Sequence, residues 1–250
     1  MFQPNLRRGF IPNINFNIFV FRFMWRYRQI VLERDSISMR FTKDHKFMQL
    51  AVPRTRSTWL WKTMEGEFYD DISSYKQFVD DDHSKHKWRT SWPPHTPNWA
   101  VSRMFKIPRS QYKKFTVVRN PWERYASFYT RLLEPKSHKR QEHAMSTMVK
   151  QMTFSQFLIE IALGNRTYDL CTEVSFLLND RAALDIDYVF RFENHADIKS
   201  FFADNGYSTK NIPIEAPNRP WREMYTANDI KIVENMCELD IRYFGYKFEP

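Results

Sequence analysis

Residues 115–129 have the sequence FTVVRNPWERYASFY, in which an apolar run, a polar turn and an amphipathic helical pattern follow one another. The apolar run predicts a short buried strand over Lys114–Val118. Asn120 is a residue type that commonly caps a helix, and Pro121 suits the first helical position because its ring fixes φ near the helical value. The stretch therefore predicts a strand that passes through a tight turn directly into a helix.

A second stretch, Val52–Leu60 with the sequence VPRTRSTWL, repeats this order of elements. Lys46–Val52 predicts a buried strand, and Thr58–Phe68 predicts the helix that follows it. Both strand–helix joints carry basic and hydroxyl side chains. A helix N-terminus has unpaired N–H groups and the positive end of the helix dipole, so it favours anions. Two such joints in one chain indicate a ligand with two separated phosphate groups.

The rest of the chain continues the alternation of strands and helices. Asp187–Phe192 predicts another strand, and helices are predicted to begin at the capping residues Thr153, Asn194 and Thr226. This order predicts a three-layer α/β/α fold around a central parallel sheet. Ligands of such sheets bind at the carboxyl ends of the strands, and both stretches follow a predicted strand.

Length, composition and charge restrict the function further. The chain has 250 residues, of which 42% are hydrophobic and 17% aromatic, which predicts an ordered fold over most of its length. With 38 Lys and Arg against 29 Asp and Glu, the net charge is 38 − 29 = +9, which favours an anionic partner such as a nucleotide, an acidic glycan, nucleic acid or a lipid surface. Cys171 and Cys237 are the two cysteines, and they supply neither a disulfide framework nor a zinc pattern.

The N-terminal region is aromatic and apolar over Phe10–Phe21. This run is shorter than the ~20 apolar residues of a membrane span, and no small-residue cleavage site follows it. We therefore expect residues 1–45 to be an extension packed on a domain that spans residues 46–250. The expected protein is soluble and cytoplasmic, and a Golgi location would require an anchor that is missing from this chain. An interfacial helix over Asn15–Leu32, in peripheral contact with a membrane, is the alternative.

The two stretches resemble the cofactor-binding motifs of the sulfotransferases that use 3'-phosphoadenosine 5'-phosphosulfate (PAPS). In that family the first motif has the pattern Pro-Lys-Ser/Thr-Gly-Thr/Ser-Thr-Trp, to which Val52–Leu60 is similar. The second motif has an arginine at a strand end and a serine eight positions later, as Arg119 and Ser127 are spaced (127 − 119 = 8). Residues 118–129 look most like the Golgi-type carbohydrate sulfotransferases (sulfotransfer family 2) and their bacterial and viral relatives. The resemblance covers roughly residues 46–249 and implies the P-loop NTPase-like sulfotransferase fold.

The resemblance also implies which residues bind PAPS. The first motif would hold the 5'-phosphosulfate, the second would hold the 3'-phosphate, and a late loop would add one arginine. The cofactor-binding residues implied in this way are Arg54, Thr55, Arg56, Ser57, Thr58, Trp59, Arg119, Ser127 and Arg219. In relatives the residue that corresponds to Trp59 flanks the adenine. No metal is implied, because fixed cations can stabilise the charge on the leaving phosphate.

Arg54 and Arg56 depart from the family pattern. Arg54 stands where the family has its catalytic lysine, and we expect it to be catalytic. A guanidinium binds phosphate or sulfate oxygens through a planar fork, but it does not readily give its proton to a leaving group. Arg56 stands where the loop usually has glycine, and a phosphate-binding turn often needs φ > 0. Either this loop avoids that conformation or Arg56 is strained.

The acceptor hydroxyl needs a general base, which in the family is often a histidine between the two motifs. The polar, proline-containing segment Asp80–Asn98 predicts a long loop and contains His83, His86 and His95. We expect His95 to be the catalytic base, because the family base often lies twenty-odd residues before the second-motif arginine (119 − 95 = 24). His83 and His86 have a spacing that could suit a metal ion, but no third ligand is evident.

The expected activity is transfer of a sulfuryl group from PAPS to a hydroxyl. A carbohydrate is the preferred acceptor, with a small molecule, a lipid or a tyrosine as alternatives. A P-loop kinase of a nucleotide or small molecule would share the fold, but the motif Gly-x-x-x-x-Gly-Lys-Ser/Thr is absent. A non-catalytic nucleic-acid-binding protein would fit the charge and the aromatic residues. The basic residues, however, concentrate at the strand–helix joints, so no nucleic-acid partner is expected.

Overall fold

The computed structural model describes residues 40–44, 46–64, 66–68, 98, 111–134, 140–164, 170, 172–179, 181–215 and 220–248. The chain divides into two compact units. The first takes its described residues from Met1–Val118 and Glu173–Ala216, and the second from Arg119–Thr172 and Pro217–Pro250. The division into an extension and a domain at residue 45 stays a prediction, because most of the extension lies outside the described residues.

Helices and strands alternate along much of the chain. In order they are β1 Arg40–Phe41, β2 Phe47–Leu50, α1 Ser57–Thr63, β3 Lys113–Val118, α2 Pro121–Leu133, α3 Arg140–Val149, α4 Phe154–Ala162, α5 Glu173–Leu177, β4 Tyr188–Arg191, α6 His195–Asp204, a 3-10 helix Arg222–Met224, α7 Ala227–Met236 and α8 Glu238–Phe244. The first unit contains the four described strands with α1, α5 and α6. The second unit contains α2, α3, α4, α7, α8 and the 3-10 helix.

The four described strands form one sheet in the order β1-β2-β3-β4. β1 is antiparallel to β2, whereas β2, β3 and β4 are parallel, with Leu50 opposite Thr116 and Val118 opposite Arg191. The carboxyl ends of these three strands therefore lie at the same edge of the sheet. The predicted α/β fold with a central parallel sheet is confirmed.

Aromatic side chains make up much of the core of the first unit. Phe202 on α6 lies against Phe47 on β2, Phe115 on β3 and Phe190 on β4, with ring centroids 6.4, 5.2 and 6.3 Å away. Aromatic pairs at such distances contribute about 0.5–1.5 kcal/mol each beyond the burial of their area. A single ring on α6 thus holds that helix against three adjacent strands.

A buried polar network lies near the amino-terminal end of β3. The Nζ of Lys114 donates to Oδ1 of Asn98 at 2.7 Å and also to the carboxylate of Asp185. The Nδ2 of Asn98 donates in turn to the backbone carbonyls of Leu177 and Asp185. A buried charge needs such partners, so the network fixes Asn98 within the first unit, beside β3. The rest of the predicted loop Asp80–Asn98 lies outside the described residues.

The predicted helix caps are confirmed. Asn120 caps α2 with its side-chain oxygen, and Asn194 caps α6 in the same way. Thr153 and Thr226 form capping boxes at the starts of α4 and α7. A cap of this kind contributes about 1 kcal/mol to stability.

The helix after the first motif is shorter than predicted. α1 ends at Thr63, whereas the sequence pattern predicts a helix to Phe68. Gly66 has φ 95°, which no helical residue adopts. Phe68 instead pairs with Thr42 in an isolated β-bridge. Phe68 is buried by contacts outside α1. Its position in the apolar spacing of the sequence therefore extended the predicted helix beyond its true end.

Candidate functional site

The first motif forms the loop between β2 and α1 in the first unit. Two of its residues have left-handed backbone conformations, Arg54 with φ 64° and Arg56 with φ 56°. For a residue with a Cβ this conformation costs about 1–2 kcal/mol. The question that the sequence left open is thereby answered, because the loop has φ > 0 at Arg56 and the residue is strained. Strain of this kind persists only where surrounding contacts impose it, and it is concentrated at functional sites.

Contacts within the first unit hold this loop in place. Thr55 is fully buried, and its Oγ1 donates to the carbonyl of Val52 at 3.0 Å. The N–H of Trp59 donates to the carbonyl of Arg56 at 2.8 Å, and the guanidinium carbon of Arg56 lies 5.3 Å from the ring centroid of Phe192. Because the hydroxyl of Thr55 closes the loop, a contact between Thr55 and a cofactor would come from its backbone N–H.

The start of α1 is positively charged. Arg56 is the residue before the helix and makes no side-chain capping bond, and the first turn contains no acidic residue. Ser57 and Thr58 are the first two residues of the helix. Together with Arg54 in the same loop, this joint has the charge and the N–H groups that suit an anion.

Trp59 is held by an aromatic stack. Its indole lies parallel to the ring of His195, with centroids 4.2 Å apart and planes at 16°. Phe192 lies edge-on to both rings, 5.8 Å from Trp59 and 5.0 Å from His195. His195 is the first residue of α6, and Phe192 directly follows β4. The first motif therefore packs against the junction between β4 and α6, which lies in the same unit.

The environment of His195 favours the neutral imidazole. Its side chain is 1% exposed, so the ring is removed from water. Burial lowers the pKa of His195 below 6.5; the backbone carbonyls of Glu215 and Pro213 act in the opposite direction, and the charge of Arg56 lowers it further. Sequence analysis did not single out His195. The sequence feature that could have identified it is a histidine that comes shortly after a predicted strand and directly after a helix-capping residue.

The second motif lies in the second unit. Arg119 is 2% exposed, and its Nη2 donates to Oε1 of Glu123 at 2.8 Å. Glu123 is also buried, so this i,i+4 ion pair is removed from water. Ser127 is half-buried and lies four residues after Glu123 on α2. The spacing of the second motif therefore places Ser127 on the same face of α2 as the carboxylate that binds Arg119.

A comparison with protein-family models matches residues 38–247 to the model described as the sulfotransferase family. The chain belongs to this family. A search of curated proteins and a search of solved structures found no match. The family match spans both motifs, and it confirms the predicted class of enzyme: a transferase that moves a sulfuryl group to a hydroxyl acceptor.

Several predicted features of this sulfotransferase stay predictions. His95 and Arg219 lie outside the described residues, as do His83 and His86. Among the residues that the structure describes, no group of three or more His, Cys, Asp or Glu side chains could hold a metal ion. In the same part of the chain, no helix combines the length and the apolar character that crossing a membrane requires.

Proposed function

We propose that this sulfotransferase takes its sulfuryl group from PAPS and transfers it to a carbohydrate hydroxyl. The observation that carries the proposal is the pair Arg54 and Arg56, both with φ > 0 in the loop that follows β2. Two arginines at strained positions destabilise the loop, but they concentrate positive charge where an anion can bind. The second basic joint, at Arg119, supports a donor with two separated phosphates.

The first motif is the proposed site of the 5'-phosphosulfate. The acceptor oxygen attacks the sulfur in line, the bond from sulfur to the bridging oxygen breaks, and 3',5'-ADP leaves with the electron pair. Arg54 and Arg56 would stabilise the negative charge that develops on that phosphate. The backbone N–H groups of Thr55, Ser57 and Thr58 would add to this. Because an arginine keeps its proton, Arg54 acts as a fixed cation where the family has a lysine.

Arg119 and Ser127 are the proposed contacts of the 3'-phosphate. An arginine carries five N–H donors, so the ion pair with Glu123 is compatible with a bond to a phosphate oxygen. The carboxylate of Glu123 would also fix the orientation of the guanidinium. The side chain of Ser127 is short and half-buried, so its hydroxyl would add a single directed hydrogen bond.

The remaining proposed roles concern the acceptor and the base of the nucleotide. His95 would accept the proton of the acceptor hydroxyl as the new sulfur–oxygen bond forms, a step that contributes roughly 10²–10⁴-fold to the rate. Trp59 would flank the adenine, and Arg219 would reach the 3'-phosphate. The net charge of +9 supports an acidic glycan as the acceptor.

A thermal-shift comparison of nucleotides tests the donor. A ligand at ~100 times its Kd stabilises the folded protein by about 2.7 kcal/mol. We expect 3',5'-ADP to raise the melting temperature more than 5'-AMP does at the same concentration. Equal shifts from the two nucleotides would show that the protein has no site for the 3'-phosphate. A larger shift from ATP with Mg²⁺ would point to a kinase.

Transfer of labelled sulfuryl from PAPS tests the acceptor. The acceptors to compare are an acidic glycan, the same glycan with its hydroxyls methylated, and a tyrosine-containing peptide. We expect label on the unmodified glycan alone. Label on the peptide alone would leave the sulfotransferase activity intact but would refute the carbohydrate acceptor.

A further inference from the structure

We propose that His195 is a positioning residue for Trp59: its ring fixes the plane of the indole so that the adenine of the cofactor stacks on the other face. The inference rests on the proposed function, because it takes Trp59 as the contact of the adenine. It adds a residue that neither cofactor motif contains and that the fold brings to the first motif.

The geometry supports this role in two ways. The rings of His195 and Trp59 are 4.2 Å apart and nearly parallel, so the histidine covers one face of the indole. Phe192 meets the indole edge-on, with ring centroids 5.8 Å apart. A half-buried indole held on one face and at one edge cannot tilt without losing both contacts. In the proposed arrangement, the opposite face would then receive a planar ligand in a fixed orientation.

Packing alone does not account for a histidine at this position. The ring is 1% exposed, and the effect of its burial outweighs that of the backbone hydrogen bonds with Glu215 and Pro213. Burying polar atoms whose hydrogen bonds do not offset the loss of water disfavours folding, and leucine has a similar volume without that penalty. A leucine, however, would present branched methyl groups to the indole instead of a flat surface. What the histidine supplies is a flat ring, and burial together with the charge of Arg56 lowers its pKa and so favours the uncharged form.

The experiment compares two ligands that differ only in the base. One is 3',5'-ADP, and the other is ribose 3,5-bisphosphate, which keeps both phosphates. For His195→Leu we expect the affinity for 3',5'-ADP to fall about fivefold or more, since stacking of one base on an aromatic ring contributes at least this much. The affinity for ribose 3,5-bisphosphate should stay the same, and the melting temperature should stay the same or rise. His195→Gln, which keeps a planar group of similar volume, should restore most of the lost affinity.

A double-mutant cycle shows whether His195 acts through Trp59. In a Trp59→Leu background, His195→Leu should cause no further loss of affinity for 3',5'-ADP. Phe202→Leu serves as the matched control, because Phe202 is buried in the same unit and its ring contacts are with other residues. This control should lower the melting temperature and leave the affinity ratio of the two ligands unchanged.

The possible failures are distinguishable. If the wild-type protein does not bind 3',5'-ADP, the proposed function fails and the inference falls with it. If the wild type binds and His195→Leu weakens both ligands alike, His195 serves the fold and the inference alone is wrong. The inference is also wrong if His195→Leu changes neither affinity, or if it causes the same loss when Trp59 is already replaced.

Discussion

Arg119 and Glu123 form a buried ion pair, in which Nη2 and Oε1 are 2.8 Å apart and the two side chains are 2% and 8% exposed. Such a pair contributes little net stability, because desolvation offsets most of the Coulomb attraction. Removal of either partner, however, leaves a buried charge without its counterion. Two variants that both break this pair can therefore separate the role of Arg119 in the fold from its proposed role at a phosphate.

Arg119→Ala should weaken the binding of 3',5'-ADP by about 1.5–3 kcal/mol, the contribution of a hydrogen bond to a charged group. It should hardly affect 5'-AMP, which lacks the 3'-phosphate. Glu123→Gln is the matched control, because it breaks the same ion pair but keeps the guanidinium. Both variants should lower the melting temperature, and Glu123→Gln alone should retain the preference for 3',5'-ADP in calorimetric titrations. If Arg119→Ala weakens both nucleotides equally, Arg119 acts on the fold.

The sequence predicted those parts of the molecule that depend on neighbours within one or two turns. Asn120, Thr153 and Thr226 bind backbone groups within three residues, so their capping roles follow from residue type and position. The spacing of Arg119 and Ser127 in the second motif is equally local. The second motif also carries the family resemblance, which the comparison with family models confirmed.

Arg56→Gly tests the strained loop, and Ala182→Gly is its control. Ala182 also has φ 56°, in a turn closed by its N–H bond to the carbonyl of Asn179. In both variants the change to glycine relieves about 1–2 kcal/mol of strain in the folded protein. It also lowers the free energy of unfolding by about 0.4–1 kcal/mol, because the unfolded chain gains entropy. Arg56→Gly also loses the contact with Phe192, which contributes about 0.5–1 kcal/mol.

Ala182→Gly should therefore raise the stability measured by urea unfolding by about 0–1.6 kcal/mol, with unchanged turnover. Arg56→Gly should leave stability nearly the same and lower both the affinity for 3',5'-ADP and kcat. Full activity of Arg56→Gly would show that the arginine is a tolerated substitution with no part in anion binding.

Long-range contacts account for what the sequence did not predict. Nothing local places the imidazole of His195 on Trp59, because the pairing depends on how β4 and α6 pack beside the first motif. The bond from the Tyr207 hydroxyl to the carboxylate of Asp44 likewise joins residues 163 positions apart. Sequence periodicity identifies which residues are buried, but not which buried residues meet.

The contact between Asp44 and Tyr207 should make stability depend on pH at both extremes. Burial acts to raise the pKa of Asp44, but hydrogen bonds from Thr42, Lys46 and Tyr207 outweigh it and bring the pKa from 3.8 to about 2. Burial raises the pKa of Tyr207 from 10.0 to about 12; a hydrogen bond with Thr42 opposes this shift, and the carboxylate of Asp44 adds to it.

The signs of the two effects are opposite. A lowered carboxylate pKa stabilises the fold above pH ~3.8, and this stabilisation is lost as the pH falls towards ~2. A raised tyrosine pKa stabilises the fold below pH ~10, and this stabilisation is lost as the pH rises towards ~12. The free energy of unfolding in urea should be measured across both pH ranges. Asp44→Asn should make it depend less on pH on the acid side than in the wild type. Tyr207→Phe should flatten the alkaline side and only part of the acid side. Unchanged pH profiles in both variants would mean that this contact does not form in solution.

His95→Ala tests the proposed general base. If His95 takes the proton of the acceptor hydroxyl, this variant should lower kcat by roughly 10²-fold or more. The affinity for 3',5'-ADP should be nearly unchanged, because the base contacts the acceptor and not the nucleotide. The wild-type rate should fall as the pH drops through the usual histidine range near ~6.5, because a protonated imidazole cannot accept a proton. Calorimetric titration and steady-state kinetics measure the two effects separately.

His83→Ala and His86→Ala are the controls, because both histidines belong to the same predicted loop as His95. If either of them abolishes turnover while His95→Ala does not, that histidine is the base, since a loop segment can bring any of the three to the acceptor. If all three variants turn over normally, the base lies elsewhere or none is needed. A rate that also fails to decline at low pH would favour the second explanation, because sulfuryl transfer would then depend on the fixed cations at Arg54 and Arg56 and not on proton removal.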